Sequence, residues 1–178
     1  MPAAAPPDVP RLLVARGADR LEHPGGTLGA HLRRVADRLA GHGVDDRTRV
    51  TGLYHAAYGT DGFPHALLRL DERPVLAAEI GDDAEAQVLL YCSCDRAQTY
   101  PQLADPIVTF VDRFTGAAAG VPREGLRTFA AVTIANELDV AEHLDLGAAA
   151  RAELRVTLAP LADLVTPAAR GDLDHTLA

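Results

Sequence analysis

Leu28-Gly-Ala-His31-Leu32-Arg-Arg-Val35-Ala-Asp-Arg-Leu39-Ala-Gly41 is the stretch whose reading decides the fold. Leu28, His31, Leu32, Val35 and Leu39 recur every three or four residues, which aligns them on one face of an α-helix. Thr27 stands where that helix needs an N-cap, and His23-Pro24-Gly25-Gly26 before it dictates a turn. His31 therefore points inward, where an imidazole requires a hydrogen-bond partner or a metal. Upstream, Arg11 to Leu21 reads as a short helix started by Pro10.

Downstream, Asp45 or Asp46 caps a third helix that runs to about Tyr58. Its second half, Val50-Thr-Gly-Leu-Tyr-His55-Ala-Ala-Tyr58, is apolar nearly all round and so belongs at the centre of the molecule. Gly59 to Pro64 is an irregular loop of the kind that frames the mouth of a site. Arg73–Ile80 and Asp82–Asp95 read as two helices divided at Gly81. Ile107 to Thr115 is rich in β-formers between Pro106 and Gly116, and reads as a short hairpin or extended excursion. Glu124 to Leu144 is a long helix with Leu126, Phe129, Thr133, Asn136 and Val140 on one face, and Leu146 to Val165 is the last helix. The expected architecture is mainly α: a bundle of six or seven helices with one short β-hairpin near 107–117. The expected organisation is a Pro/Ala-rich tail at 1–9, one helical domain at 10–165, and a polar, frayed tail at 166–178.

Composition narrows the function. At 178 residues the chain can bury one sizeable core. Aromatics are scarce and Trp is absent, which favours helix over sheet. All 17 basic residues are Arg, a coding bias of GC-rich type, and the absence of Lys excludes Schiff-base and P-loop lysine chemistry. A net charge of −8 with scattered Arg residues argues against nucleic acid and anionic membranes. Cys92 and Cys94 are too close for an easy disulfide and have no companion pair for zinc. With no signal peptide pattern and no membrane-length apolar run, a cytoplasmic protein is expected.

His31 and His55, 24 residues apart on consecutive helices, are the leading site candidates, as acid/base groups or as ligands of a metal. Tyr58, one turn after His55, is a candidate proton donor. His23, Thr27, Arg96 and Asn136 are candidates for substrate contact, each with a structural alternative: a solvated turn histidine, a helix cap, a helix-terminal ion pair with Asp95, and an amide bridging helices. Asp61 or Glu85 is a candidate carboxylate to complete a two-His-one-carboxylate set. Glu137, Asp139, Glu142 and His143 contain no metal-binding motif and read as a solvated helix face.

This order of residues resembles the HD-domain superfamily of helical metal-dependent phosphohydrolases, above all the hydrolase domain of alarmone enzymes. There a first histidine, a His-Asp pair on the next helix and a late Asp hold one divalent metal. The matching positions are His31, His55 with Ala56 beside it, and Asn136, so both acidic ligands are replaced. The chain also resembles an uncharacterised family, a domain of unknown function. The residues that carry this likeness are His23 to Leu32, Leu53 to Thr60, Ile80-Gly81 with Ala84-Glu85, Asp95-Arg96, and Ala135-Asn136. It covers about residues 10 to 145.

The resemblance implies an HD-like fold around a degenerate pocket. The expected function is that of a small-molecule enzyme, in a specialised-metabolite pathway, using His-centred acid/base or metal-assisted chemistry. The alternative is a catalytically silent domain that binds a ligand or a protein. The cofactor is one divalent ion, Fe, Mn or Zn, or none. The partner is a small-molecule substrate or ligand, with a homodimer left open.

Overall fold

A computed structural model describes residues 9–178. The expected tail at 1–9 lies, but for its last residue, outside the described residues. Among those described, the chain is mainly helical, with two small antiparallel hairpins. Helix α1 (Arg11–Ala15) is shorter than expected, because the chain tightens into a 3-10 turn at Ala18–Arg20. Strands β1 (Glu22–His23) and β2 (Gly26–Thr27) close the Pro-Gly-Gly turn and pair His23 with Gly26. Helix α2 (Leu28–Gly41) then starts at Thr27, whose hydroxyl accepts the Ala30 N–H at 3.2 Å. The five residues that define its inner face are all buried.

Helix α3 (Asp46–Leu53) is capped by Asp45, whose carboxylate accepts the Thr48 N–H at 2.7 Å. It does not reach Tyr58. The chain leaves the helix at Tyr54 and passes through turns to the Gly59 loop, all of it buried. Helices α4 (Arg73–Ile80) and α5 (Asp82–Ser93) meet at Gly81, whose φ of 86° permits the sharp break between them. After α6 (Arg96–Thr99), strands β3 (Ile107–Val111) and β4 (Ala118–Pro122) form the expected hairpin, with Ile107 opposite Pro122 and Val111 opposite Ala118. Helix α7 (Arg127–His143) and α8 (Ala148–Leu158) follow.

The stretch 166–178, expected as a frayed tail, contains helix α9 (Pro167–Thr176). Thr166 caps it by accepting the Ala169 N–H at 3.2 Å, and Pro167 fits the first helical turn. Its polar residues face outward and toward α2, where Asp172 accepts from Arg38 and His42, while Leu173 and Leu177 enter the core. Such an amphipathic segment is too short to show its face by periodicity alone.

Helix α2 is shared by two apolar clusters. Leu28 and Leu32 join Leu13, Leu53, Leu68 and Val88 on one side, and Val35 and Leu39 join Phe129, Ile134 and Leu138 on the other. His31 sits at the seam, facing α3 and α7, which both pack on α2. No helix among the described residues is long and apolar enough to cross a membrane.

Candidate functional site

The site is built where α2, the end of α3 and α7 converge. His31 is fully buried and His55 is 2% exposed, and their Nε2 atoms stand 3.3 Å apart. Asn136 on α7 brings its Oδ1 to 3.0 Å from His31 Nε2. The structure thus gathers these three sequence candidates around His31 Nε2.

The far side of each ring fixes what the near side can do. His31 Nδ1 lies 2.6 Å from Asp139 Oδ2, a carboxylate also gripped by the Arg34 guanidinium through Nε at 2.7 Å and a terminal nitrogen at 2.9 Å. Burial alone would raise the Asp139 carboxyl, but the His31 and Arg34 hydrogen bonds outweigh it and hold the group well below the usual range. An ionised carboxylate only accepts, so His31 Nδ1 carries the proton. His55 Nδ1 is 2.7 Å from the Gly52 carbonyl oxygen, which likewise can only accept, so this nitrogen carries the proton too. Burial and the neighbouring His31 push His55 down to about 3, keeping it neutral near pH 7. The Asn136 amide is oriented by Glu137: its Nδ2 donates to Oε1 at 3.0 Å, and the reversed amide would set oxygen against that carboxylate.

In their neutral forms, then, His55 Nε2 and Asn136 Oδ1 are acceptors that both face a third, His31 Nε2, with no donor among them. Only a cation reconciles them: a proton on one ring or a metal ion. The spacings of 3.0 and 3.3 Å are those of donors sharing one ion through bonds of roughly 2.0–2.2 Å. Asp139 and the Gly52 carbonyl stand where outer partners of metal-bound histidines stand. Among the described residues no three His, Cys, Asp or Glu side chains cluster as a metal site. The third donor here is an amide.

The acceptors border a cavity of about 290 Å³, and His23, Arg96, Glu137 and Thr60 add to its polar wall. The His23 ring stacks on His31 with centroids 3.9 Å apart, and partial burial followed by the nearness of His31 pushes it down to about 4. Leu28, Phe63, Val140 and Leu144 form the apolar wall. The turn that carries His23 is tightly seated: Gly25 has φ 77°, and a Cβ there would collide with the His143 ring.

Four candidates lie elsewhere. The Tyr58 hydroxyl donates to Glu85 Oε1 at 2.8 Å, away from the histidines; burial and that bond push the phenol far above its ordinary range. The expectation that it follows His55 on one helix face fails because α3 has already ended. Glu85 is spent on Tyr58 and on both forks of Arg73, at 2.8 Å each. Asp61 accepts the Arg96 backbone N–H at 3.0 Å, and neither carboxylate lines the cavity. Thr27 acts as a helix cap. The solvated face expected for Glu137 and Asp139 is corrected as well, since the structure turns both inward. For Asp139 the signal is its spacing of three from Asn136, which puts both on one helix face; the spacing of one gives no such signal for Glu137.

Residues 12–96 match the family model of a domain of unknown function, DUF6817. This segment carries His23, His31, His55 and Arg96 but stops before Asn136, Glu137 and Asp139. The part of the site that α7 supplies thus lies outside the matched segment. No curated protein and no solved structure matches the chain. The likeness to HD hydrolases rests on the residue pattern alone.

Proposed function

We propose that this protein is a small-molecule enzyme that works with one divalent metal ion held by His31 Nε2, His55 Nε2 and Asn136 Oδ1. The observation that carries the reading is the convergence of three acceptors whose tautomers and orientation are fixed from behind by Asp139, Gly52 and Glu137. A neutral set of two imidazoles and an amide suits zinc or ferrous iron better than magnesium or manganese, which prefer carboxylate oxygens. When bound, such an ion supplies Lewis acidity to a substrate oxygen or to water.

The chain's own groups do the rest. Asp139 and Gly52 aim the imidazole lone pairs, and Arg34 keeps Asp139 ionised. Glu137, the carboxylate on the cavity wall, is placed to take up and return a proton. Leu28, Phe63, Val140 and Leu144 hold the apolar part of a substrate and limit water. The cavity is at the low end of the roughly 300–1,000 Å³ of small-molecule sites, which favours a compact metabolite over a nucleotide.

Elemental analysis of the purified protein, followed by calorimetric titration of the metal-depleted form with Zn²⁺ and Fe²⁺, tests this. One equivalent of metal per chain is expected. A protein that copurifies with no metal and takes up neither ion would overturn the reading, leaving a metal-free binding domain in its place.

A further inference from the structure

Two buried carboxylates in this protein sit in closed forks. Arg73 grips both oxygens of Glu85, and Arg34 grips both oxygens of Asp139. Such bidentate pairs spend the donors of one partner on the acceptors of the other. The pair on the wall of the histidine cavity is built differently. Arg96 touches Glu137 at a single point, one terminal nitrogen to Oε1 at 2.7 Å, and its other terminal nitrogen only reaches the Tyr91 hydroxyl at 3.4 Å.

What is left over is chemically specific. Glu137 Oε1 already accepts from both Arg96 and Asn136, whereas Oε2 accepts nothing among the described residues. Arg96 Nε donates to nothing there either. Neither atom is a sealed orphan of the core, and the two side chains remain 24% and 18% exposed. Both residues line the cavity. The wall therefore offers one unspent anionic oxygen beside an unspent cationic edge, a fixed dipole of two full charges.

We propose that the cavity binds a small zwitterion, an amino acid or close analogue with an apolar side group, laid antiparallel on the Arg96–Glu137 pair. The ligand's carboxylate pairs with the free edge of Arg96 and its ammonium with Glu137 Oε2. Charge-assisted bonds of this kind in a half-buried site discriminate strongly against a ligand lacking one pole, because the protein's own charge is then left unpaired. Leu28, Phe63, Val140 and Leu144 receive the side group, and a volume of about 290 Å³ suits a compact ligand of this size. A carboxylate also supplies the negative charge that the neutral His31, His55 and Asn136 set lacks. This assignment rests on reading the cavity as a small-molecule site.

The test is calorimetry on the full-length protein, metal-depleted and zinc-loaded. L-leucine, L-phenylalanine and L-tyrosine are each compared with their des-amino and des-carboxy analogues; for L-phenylalanine these are 3-phenylpropionate and phenethylamine. At least one amino acid should bind one-to-one, at least tenfold tighter than either single-charge analogue. Glu137→Gln, with thermal unfolding checked, should abolish the preference over the des-amino analogue in the metal-depleted protein, where no zinc site enters the comparison. An analogue binding as tightly as its parent, or no amino acid binding to protein that takes up zinc, overturns the zwitterion and leaves the metal reading standing. An amino acid bound with tenfold preference by protein that takes up no metal supports the zwitterion and sinks the metal reading.

Discussion

His31 Nδ1 and Asp139 Oδ2 stand 2.6 Å apart in the interior, joined across 108 residues of chain. This contact ties α2 to α7, selects the tautomer of His31, and turns its other nitrogen toward His55 and Asn136. Asp139→Asn keeps the shape but removes the charge, leaving Arg34 without its partner. Breaking a buried pair of this kind costs about 3–5 kcal/mol. Loss of an outer partner of a metal ligand lowers metal affinity roughly 10–100-fold. Urea unfolding and zinc titration of this variant measure the two effects separately; wild-type values for both would contradict the role given to Asp139.

Asn136→Asp separates a metal from a shared proton. A carboxylate added to the acceptor set should tighten zinc binding at least tenfold, while in chelator it places a further negative charge beside Glu137 and lowers the melting temperature. Calorimetric melting with and without EDTA reads both. If the Asn136→Asp protein were more stable than wild type in EDTA, a proton rather than a metal would occupy the gap.

Glu85 gives the acid limb of stability a specific source. Burial would raise its carboxyl, but the Arg73 and Tyr58 hydrogen bonds prevail and hold it below its ordinary value. A depressed folded pKa contributes stability in full above the unfolded value of about 4.3, and loses it as pH falls through the folded value. Melting temperatures between pH 3 and 6 should therefore fall less steeply on acidification in Glu85→Gln, from a lower starting point at pH 6. Parallel curves would refute the contribution.

Deleting residues 166–178 tests whether the C-terminal helix is structural. It removes Leu173 and Leu177 from the core, each worth about 1.5–3 kcal/mol, and the Asp172 acceptor of Arg38 and His42. A loss of several kcal/mol in urea unfolding is expected, where a merely appended tail would leave the midpoint unchanged.

Much of the frame is legible in the chain. Leu28 to Leu39 shows a helical face with His31 on it, Thr27 and Asp45 announce their helices, and Asn136 stands out as an amide on an apolar face. The departures share a cause. Extending helical periodicity past Leu53 misplaces Tyr58, because tertiary packing there replaces helix with turns. Helix α7 is apolar nearly all round, so a charged residue on it looks outward until its partners on α2 and α6 are known, and Asp139 and Glu137 mislead in this way. Arg34 and Arg96 are those partners, and neither lies near α7 in sequence.

The central claim is that the acceptors at His31, His55 and Asn136 hold a metal ion. Its most direct measurement is a zinc titration of metal-depleted wild-type protein beside His55→Ala, with circular dichroism verifying that both are folded. One site per chain in the wild type and none in folded His55→Ala is the predicted result; no binding by the wild type, or equal binding by both, contradicts the claim.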